Sequence, residues 1–431
     1  MPVGMTFQDI SAVLAEIHKA ATGQEPTRDI IDTSSFVSVA EATLRSWEKD
    51  NLLNAISQVF TRTIFAVRPY RAQMLGLEKD GSAWGNHVRK INYFDSDPIK
   101  DTTYSLPANG TVGTEDRGDS VDPWIVARPK VLQTNYYGQS NYSRMYTQGL
   151  IQLNSAFQGP DQLAEFWSGM STHMANQIEQ DRENLARLLV VNRMAGTPST
   201  SPSSVIYLLD EYNKETGLEL TATTVFQPSN FPDFARFAFA RINDVSDMLR
   251  ARTINWHQNW AISGTNYNFM RHTPYDRQHL YLSSRIQRQI GARVLADTFN
   301  SGLLQYRDME LVPYWQTPDE RETVQVKPIT TTTEGAAQAM ATNVGLANIV
   351  GVLFDDDAIG YTPIDSQVLA TPVNARSRYI NFWYHYGWRW YNDFTENAVV
   401  FLLTTADVTA PADSEAASLK STSVKEPAPR C

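Results

Sequence analysis

The sequence predicts an α+β fold, because stretches with helical periodicity alternate with short runs of strand character. The strongest helical stretch begins at Asp161 as cap and keeps apolar residues at helical spacing for about 35 residues. The clearest strand region lies between Tyr379 and Leu403, which is dense in aromatic and β-branched residues. No internal repeat of fixed period is present, so a solenoid or a propeller is not expected.

Two helices are expected before residue 79. Apolar residues at helical spacing, Ile10 to Ile17, predict a short amphipathic helix that ends near Gly23. Ser38 and Glu41 have the spacing of a capping box and predict the start of a second helix. We expect this second helix to end before Pro69.

The stretch from Lys79 to Tyr137 predicts an extended two-stranded arm. Glycines and prolines interrupt it, and two of its short strand-like runs, Val88 to Phe94 and Trp124 to Ala127, flank a polar tip. A ribbon with so few apolar residues cannot bury itself, so it needs a partner surface. Complementary charge would steer that contact, and the candidate contact residues are Arg89, Lys90, Asp95, Asp116 and Arg117.

The remaining residues predict a lobe of mixed helices and strands. We expect the long helix to end near Ala195, at the turn-rich stretch 196–204. The other predicted elements of the lobe are two helices, Phe231 to Arg252 and Ser283 to Asn300, and three strands, Trp260 to Ser263, Asp308 to Tyr314 and Ile349 to Phe354. From residue 404 to the end, the composition without periodicity predicts a disordered tail.

Composition excludes several classes of protein. The net charge of −10 argues against a protein that coats a polyanion, and no apolar run approaches the roughly 18 residues of a membrane-spanning helix. A secretory signal is not expected from the first residues, and the one cysteine, Cys431, cannot form an internal disulfide. Charged residues make up 19% of the chain and aromatic residues 11%, which is typical of large protein–protein interfaces or of a large core.

The sequence predicts no enzyme, no cofactor and no metal site, because the phosphate-loop, dinucleotide, nucleophile-elbow and zinc-protease motifs are absent. Asp355, Asp356 and Asp357 could hold a divalent cation, but an acidic turn after a strand is the better interpretation. The closest histidine pair, His272 and His279, flanks a turn. Arg285, Arg288 and Arg293 are interpreted as a solvated helix face, although they could also touch phosphate or an acidic neighbour. The aromatic residues from Trp383 to Tyr391 are interpreted as part of a core or an interface, although they could also stack on bases or sugars.

Four blocks of residues, taken in order, carry a resemblance to a known family. They are Val39-Ala40-Glu41, Tyr136-Tyr137, Leu295-Ala296 with Phe299-Asn300, and a C-terminal block that includes Asn374, Arg376, Tyr379, Asn381, Tyr384-His385, Phe394, Asn397-Ala398-Val399 and Phe401. With these blocks the chain resembles the major capsid proteins of tailed double-stranded DNA bacteriophages, above all the major head proteins of short-tailed phages. The resemblance spans residues 36 to 403.

The resemblance implies the Johnson fold, with an N-terminal arm, an extended (E) loop, a peripheral (P) domain with its spine helix, and an axial (A) domain. The expected limits are an arm and lead-in helix at 1–78, an E loop at 79–137, a P domain at 138–230 and 372–403 with its spine helix at 161–195, an A domain at 231–371 and a tail at 404–431. An immunoglobulin-like domain is not expected in the 28 or so residues that follow the P domain.

The resemblance also implies a function and partners. The protein is expected to assemble in the host cytoplasm, as pentamers and hexamers, into the shell of the virion, with a separate scaffolding protein, a portal protein and packaged DNA that is bound without sequence specificity. Isopeptide cross-links are not predicted, because nothing marks Lys90 or Lys100 for that reaction. Two alternatives remain open: the shell of a cellular nanocompartment with the same fold, and a carboxylate-metal hydrolase centred on Asp355 to Asp357.

Overall fold

The computed structural model describes residues 7–22, 24–26, 30, 32–45, 72–79, 87–94, 130–149, 160–293, 309–374 and 376–404. Both helices and strands are present in this part of the chain, which confirms the predicted α+β class. The helices are α1 (Phe7–Thr22), α2 (Thr33–Arg45), α3 (Pro160–Thr200), α4 (Leu208–Thr216), α5 (Phe231–Leu249) and α6 (Ser284–Arg293). Of these described helices, none has both the length and the apolar character that crossing a bilayer requires.

The strands are short in the middle of the chain and long near its C-terminal end. They are β1 (Val88–Phe94), β2 (Lys130–Tyr136), β3 (Gly138–Gly149), β4 (Val205–Tyr207), β5 (Trp260–Ile262), β6 (Thr265–Tyr267), β7 (Gln278–Ser283), β8 (Met309–Val312), β9 (Val324–Val326), β10 (Ile329–Thr331), β11 (Ala337–Ala339), β12 (Val344–Leu346), β13 (Ile349–Asp355), β14 (Ile359–Ala370), β15 (Tyr379–Asn392) and β16 (Ala398–Leu402).

The chain forms two compact units. The first comprises Met1–Leu189, Thr265–Phe269 and Ile359–Asp393, and the second comprises Val190–Gly264, Met270–Ala358 and Phe394–Cys431. These limits differ from the predicted domain limits at residues 230 and 371, partly because β14 pairs with β15 and so belongs to the first unit. The predicted domains are a functional division, and they stay a prediction.

The first unit is built around a three-stranded antiparallel sheet with the order β14-β15-β3. Aromatic side chains at alternate positions of β15, Phe382, Tyr384, Tyr386 and Trp388, are buried on one face. The same face meets α3, because Asp181 of that helix accepts hydrogen bonds from Tyr386 and Arg144. Helices α1 and α2 pack on each other through buried residues that include Leu14, Ile17, Phe36 and Ala40.

The second unit is built around a five-stranded mixed sheet with the order β4-β16-β13-β7-β8. All seven residues of the central strand β13 are buried, which explains its continuous apolar sequence. Helix α5 packs on this sheet with apolar residues every three or four positions, among them Phe231, Phe234, Phe239, Ile242 and Val245. This packing forms a large hydrophobic core.

The observed helix ends correct two sequence predictions. Helix α2 begins at Thr33 rather than Ser38, because Asp32 caps it: Asp32 Oδ1 accepts a hydrogen bond from the Ser35 amide (2.8 Å), and Ser35 Oγ accepts one from the Asp32 amide (3.0 Å). Helix α3 runs to Thr200, past the predicted end at Ala195. In this last stretch, the hydroxyl groups of Thr197 and Ser199 donate hydrogen bonds back to the carbonyls of Arg193 and Gly196, so their side chains are used within the helix.

The other predicted elements of the lobe are close to those observed. Helix α5 ends at Leu249 instead of Arg252, and the described part of the helix predicted at Ser283 to Asn300 is α6. The strands predicted at Trp260, Asp308 and Ile349 are confirmed as β5, β8 and β13. The tail after residue 404 lies outside the described residues.

Candidate functional site

Two of the candidate contact residues, Arg89 and Lys90, lie in a two-stranded ribbon, in which β1 pairs antiparallel with β2 from Val88–Tyr136 to Phe94–Lys130. The predicted strand at Val88 is therefore confirmed, but its partner is β2, not the stretch Trp124 to Ala127, which lies outside the described residues. Successive side chains of a strand point to opposite faces. The ribbon accordingly has an inner face that packs on the rest of the first unit and an outer face that is exposed.

The inner face is held by an ion pair and by aromatic contacts. Lys90 Nζ lies 2.5 Å from Asp393 Oδ2, and only 1% of the Asp393 side chain is exposed. Near the end of β1, the Phe94 ring packs against Phe269 at a centroid distance of 5.3 Å. In β2, the Tyr136 ring lies 5.6 Å from the Tyr391 ring. These contacts hold the ribbon against the rest of the first unit at several points.

The outer face of the ribbon carries three exposed apolar side chains. Ile91 is 43% exposed and Tyr93 72%, while Val131, which pairs with Tyr93, is 51% exposed. Arg89 lies on the same face and is exposed. Gln133 and Asn135 also lie on this face, so the three apolar side chains form a small patch among polar ones. Exposed apolar patches mark interaction sites. We name Ile91, Tyr93 and Val131 the ribbon patch.

The chain segment that leads into the ribbon is anchored to α3. Backbone amides of Ala72 and Gln73 donate hydrogen bonds to the carboxylates of Glu179 (3.2 Å) and Glu183 (3.4 Å). Arg182, one turn along the helix from Glu179, forms an ion pair with Glu78 of the same segment. Carboxylates and a guanidinium of one helix thus hold the start of the arm, which helical spacing alone does not reveal.

A second polar cluster joins α3 to the three-stranded sheet. Arg144 donates hydrogen bonds to Asp181 Oδ2 (2.5 Å from Nη2) and to the Tyr386 hydroxyl (2.9 Å from Nε), and Tyr386 also donates to Asp181. The hydrogen bond to Asp181, followed by the one to Tyr386, raises the pKa of Arg144. Burial, followed by the hydrogen bond to Asp181, raises the pKa of Tyr386 above its ordinary value. Arg144 therefore stays protonated, and Tyr386 stays neutral, over the physiological pH range.

The three aspartates that could have formed a metal site are engaged by protein groups. Asp355 is buried and accepts hydrogen bonds from Thr273 Oγ1 (2.8 Å) and Arg277 (3.3 Å), and Arg277 also pairs with Asp357. Asp356 Oδ1 lies 2.9 Å from His279 Nε2. Within the described residues, no group of three or more His, Cys, Asp or Glu residues is arranged to hold a metal ion. The arrangement resembles a structural ion-pair network.

The basic cluster, the histidine pair and the aromatic cluster predicted from the sequence have ordinary structural surroundings. Arg285 forms an ion pair with Glu322 (3.0 Å), the acidic-neighbour alternative, and Arg288 is exposed. The side chain of Arg293 lies outside the described ones. His272 is exposed, whereas His279 is paired with Asp356. Half of the aromatic residues of β15 are buried, which agrees with a core on that face of the strand.

Two of the five candidate contact residues, Arg89 and Lys90, lie in the described part of the chain, and they point to opposite faces of the ribbon. Arg89 is exposed on the outer face, whereas Lys90 is used within the chain by Asp393. Asp95, Asp116 and Arg117 lie outside the described residues. The predicted contact residues do not include the ribbon patch, because all of them are charged and the patch is apolar. The alternation of exposed and buried residues along β1 was the signal that could have found it.

Comparison with known proteins gives a consistent result. A family model described as Phi29-like phage major capsid protein matches residues 109–402. No curated protein matches the chain.

Among solved structures, the chain is similar to the capsid structure of Staphylococcus phage Andhra, with 10% identity over 78% of this chain and 85% of that chain and a TM-score of 0.47. It is also similar to a chain of the structure of head fiber and inner core protein gp22 of native bacteriophage P68, with 11% identity over 78% and 86% of the two chains and a TM-score of 0.49. A third similar structure is the capsid of Cyanophage P-SCSP1u, with 11% identity, coverage of 78% and 90%, and a TM-score of 0.44.

Proposed function

This chain belongs to the Phi29-like phage major capsid protein family, whose model matches more than half of its residues, and from that membership we propose how its parts build the phage head. The protein has a structural role in the capsid shell and is a component of the virion, where copies of the chain associate with one another. The family match over residues 109–402 is the observation that carries this conclusion.

The proposal assigns the Johnson fold to the chain, with the limits expected from the sequence. Residues 79–137 form the E loop, of which β1 and β2 are the described part, and α3 is the spine helix of the P domain. At about 1.5 Å per residue, its 41 residues give a rod of roughly 60 Å. The A domain comprises residues 231–371, and residues 372–403 complete the P domain. The long helix and the ribbon support this assignment.

Assembly proceeds through pentamers and hexamers in which each E loop lies across the P domain of a neighbouring subunit. The ribbon patch supports this part of the proposal, because covering the exposed side chains of Ile91, Tyr93 and Val131 with a neighbouring subunit lowers the free energy of the assembly. Each contact is weak alone, but the contacts act together because they are repeated over a closed lattice. Such a shell is stable even though its single interfaces are modest.

Other partners follow from family likeness. We propose a separate scaffolding protein, a portal protein, assembly in the host cytoplasm, and DNA that touches the inner wall without sequence specificity. The net charge of −10 supports the last point, because a wall that bound phosphate tightly would resist filling. An inner surface with a strong excess of Lys and Arg in a particle reconstruction would contradict it.

Neither alternative function is favoured. The nanocompartment shell has no support in the family match, which is to phage proteins. The hydrolase has none in the geometry, because Asp355 and Asp357 share Arg277 and Asp356 is paired with His279.

The proposed function is tested by expressing the chain with a scaffolding protein of a related phage and imaging the product by electron microscopy. Closed shells of uniform size, built from pentamers and hexamers of this chain, are the expected result. A chain that remains monomeric under these conditions and also forms no shells in infected cells would overturn the proposal. The nucleic-acid content of particles from infected cells separates a phage head, which contains double-stranded DNA, from a nanocompartment, which contains a protein cargo.

A further inference from the structure

The three-stranded sheet of the first unit has two edges, and one of them carries the usual protection against strand pairing. On β14, Glu78 forms a parallel bridge with Tyr361, and the Lys79 amide donates a hydrogen bond to the Tyr361 carbonyl (2.9 Å). Farther along, Pro363 lies in the strand, and the register shifts between Ile364 and Gln367. Coverage, proline and an irregularity are devices that prevent another strand from adding to an edge.

The opposite edge, β3, lacks these devices. Its 12 residues pair with β15 without a register shift, from Gly138–Trp390 to Gly149–Tyr379. It contains no proline and no lysine, and its one charged residue, Arg144, turns toward Asp181. No strand of the described part of the chain pairs with the outer side of β3. A long, regular strand edge of this kind is a template for another strand.

The exposed face of β3 also lacks formal charge. The face is formed by Gln139, Asn141, Ser143, Met145 and Thr147, of which Met145 is 54% exposed. The Gln139 side chain donates a hydrogen bond to Asn141 (2.9 Å), as expected for neighbours on one face. A solvated edge strand commonly carries lysine or another charge, whereas the centre of a protein interface is depleted of charge. The composition of β3 is that of a covered strand.

We propose that the outer edge of β3 receives an extended segment of a second copy of this chain as a fourth strand of the sheet. This inference rests on the proposed function, because a capsid shell surrounds each subunit with identical copies. Backbone hydrogen bonds would supply the affinity, and the uncharged side chains would let the two strands approach closely. The edge would thus be blocked in the shell and open in the free subunit.

Hydrogen exchange measured by mass spectrometry tests the proposal directly. In an antiparallel strand, alternate amides point to opposite sides, so about half of the β3 amides bond to β15 in the free subunit. In assembled shells, we expect the outward half of the amides of residues 138–149 to exchange more slowly, by about 100-fold or more, as for amides that exchange only by local opening. Amides of β14 serve as the internal control, since they should change little.

Charged substitutions give a second measurement. Asn141→Lys with Ser143→Lys places two like charges on the exposed face of β3, which should lower the yield of shells about tenfold or more because the lost contact recurs at every subunit. Gln367→Lys is the matched control, because Gln367 is exposed on β14 and pairs with His385, the residue that pairs with Ser143 on the other side. The control should assemble normally.

The outcomes separate this inference from the proposed function. If shells form but the outward amides of β3 still exchange rapidly, the inference is wrong and the proposed function stands. Protection of these amides already in the free subunit also overturns it, because the same chain would then cover the edge. If the protein forms no shells, both proposals fail together. If the lysine variant does not fold, the exchange experiment on the unmodified protein still decides.

Discussion

Among single residues, Lys90 has a different role from the one predicted, because it forms an ion pair with Asp393 of the same chain. The sequence predicts that Lys90 faces a neighbouring subunit, but its ammonium group lies 2.5 Å from a carboxylate that is almost fully buried. Removing one partner of such a pair leaves a buried charge without its main compensation. Lys90 is therefore expected to matter first for the stability of the subunit.

Lys90→Met should reduce the free energy of unfolding of the subunit by roughly 1.5–3 kcal/mol, the usual range for a hydrogen bond to a charged group. Urea unfolding of the unassembled protein measures this change. Arg89→Met is the matched control, because Arg89 is adjacent and exposed, and its effect should stay within about 0.5 kcal/mol. Equal stability of the two variants, with an assembly defect only in Lys90→Met, would show that Lys90 acts between subunits.

Burial of His18 on α1 is expected to make the stability of this helix in the folded subunit depend on pH. The His18 side chain is buried, and burial lowers its pKa below the ordinary value of 6.5. The unfolded chain therefore takes up a proton near pH 6.5, while the folded chain takes it up only at lower pH. The stabilisation is present above pH 6.5 and is lost as the pH falls through the folded-state pKa.

Acidification from pH 7.5 to 5 should accordingly speed the proteolysis of residues 7–22 in the free subunit. His18→Gln has no titratable group, so its proteolysis rate should depend less on pH over this interval. An identical pH dependence in the two proteins would mean that another group is responsible.

Among the helices and strands, those with a clear apolar pattern or an apolar composition are predictable from the sequence. Helices α3 and α5 and strands β13, β15 and β16 follow from their apolar patterns. Strand β14 was missed because Pro363 and Gly360 resemble a loop, although pairing with β15 overrides that local tendency. Strand β2 was missed because its polar residues make no apolar run. The anchoring of Ala72 by Glu179 depends on residues 107 positions apart, which no local pattern predicts.

The end of α3 gives a prediction at this scale. An ideal Cβ on Gly196 would lie 2.6 Å from Cζ of Phe394 and 2.9 Å from Cγ2 of Thr330. Gly196→Ala should therefore destabilise the protein by about 1–3 kcal/mol through overpacking, despite the better helix propensity of alanine. The midpoint of thermal unfolding measures the effect.

Asn184→Ala is the control for helix propensity, because Asn184 is exposed on the same helix. This variant should leave the midpoint unchanged or raise it slightly. A similar midpoint for Gly196→Ala would mean that the Phe394 ring moves aside without cost.

For the molecule as a whole, the described residues leave two surfaces uncovered, the ribbon patch and the outer edge of β3. They differ in chemistry, because the first is apolar and the second is formed by backbone and uncharged polar groups. Two different surfaces on one chain favour head-to-tail contacts, which close into rings when the rotation per subunit divides the circle. Pentamers and hexamers are rings of this kind.

Tyr93→Ser together with Val131→Ser should reduce shell assembly while leaving the subunit folded, because both side chains are exposed in the single copy. Sedimentation of assembly reactions, with circular dichroism of the free subunit, provides the two readouts. Leu218→Ser is the control for loss of an exposed apolar residue elsewhere, since Leu218 is 46% exposed. Normal assembly of the double variant would exclude the ribbon patch from the subunit contacts.

The junction between β2 and β3 has a consequence for the size of the particle. At Gly138 any side chain would collide with the neighbouring strand, because an added Cβ would lie 2.4 Å from the carbonyl oxygen of Trp390. Only glycine therefore fits, without movement of β15, at the position where the ribbon leaves the sheet. Every copy of the chain has the same junction. We therefore expect the backbone geometry at Gly138, repeated in each subunit of the lattice, to contribute to the curvature and hence the diameter of the head.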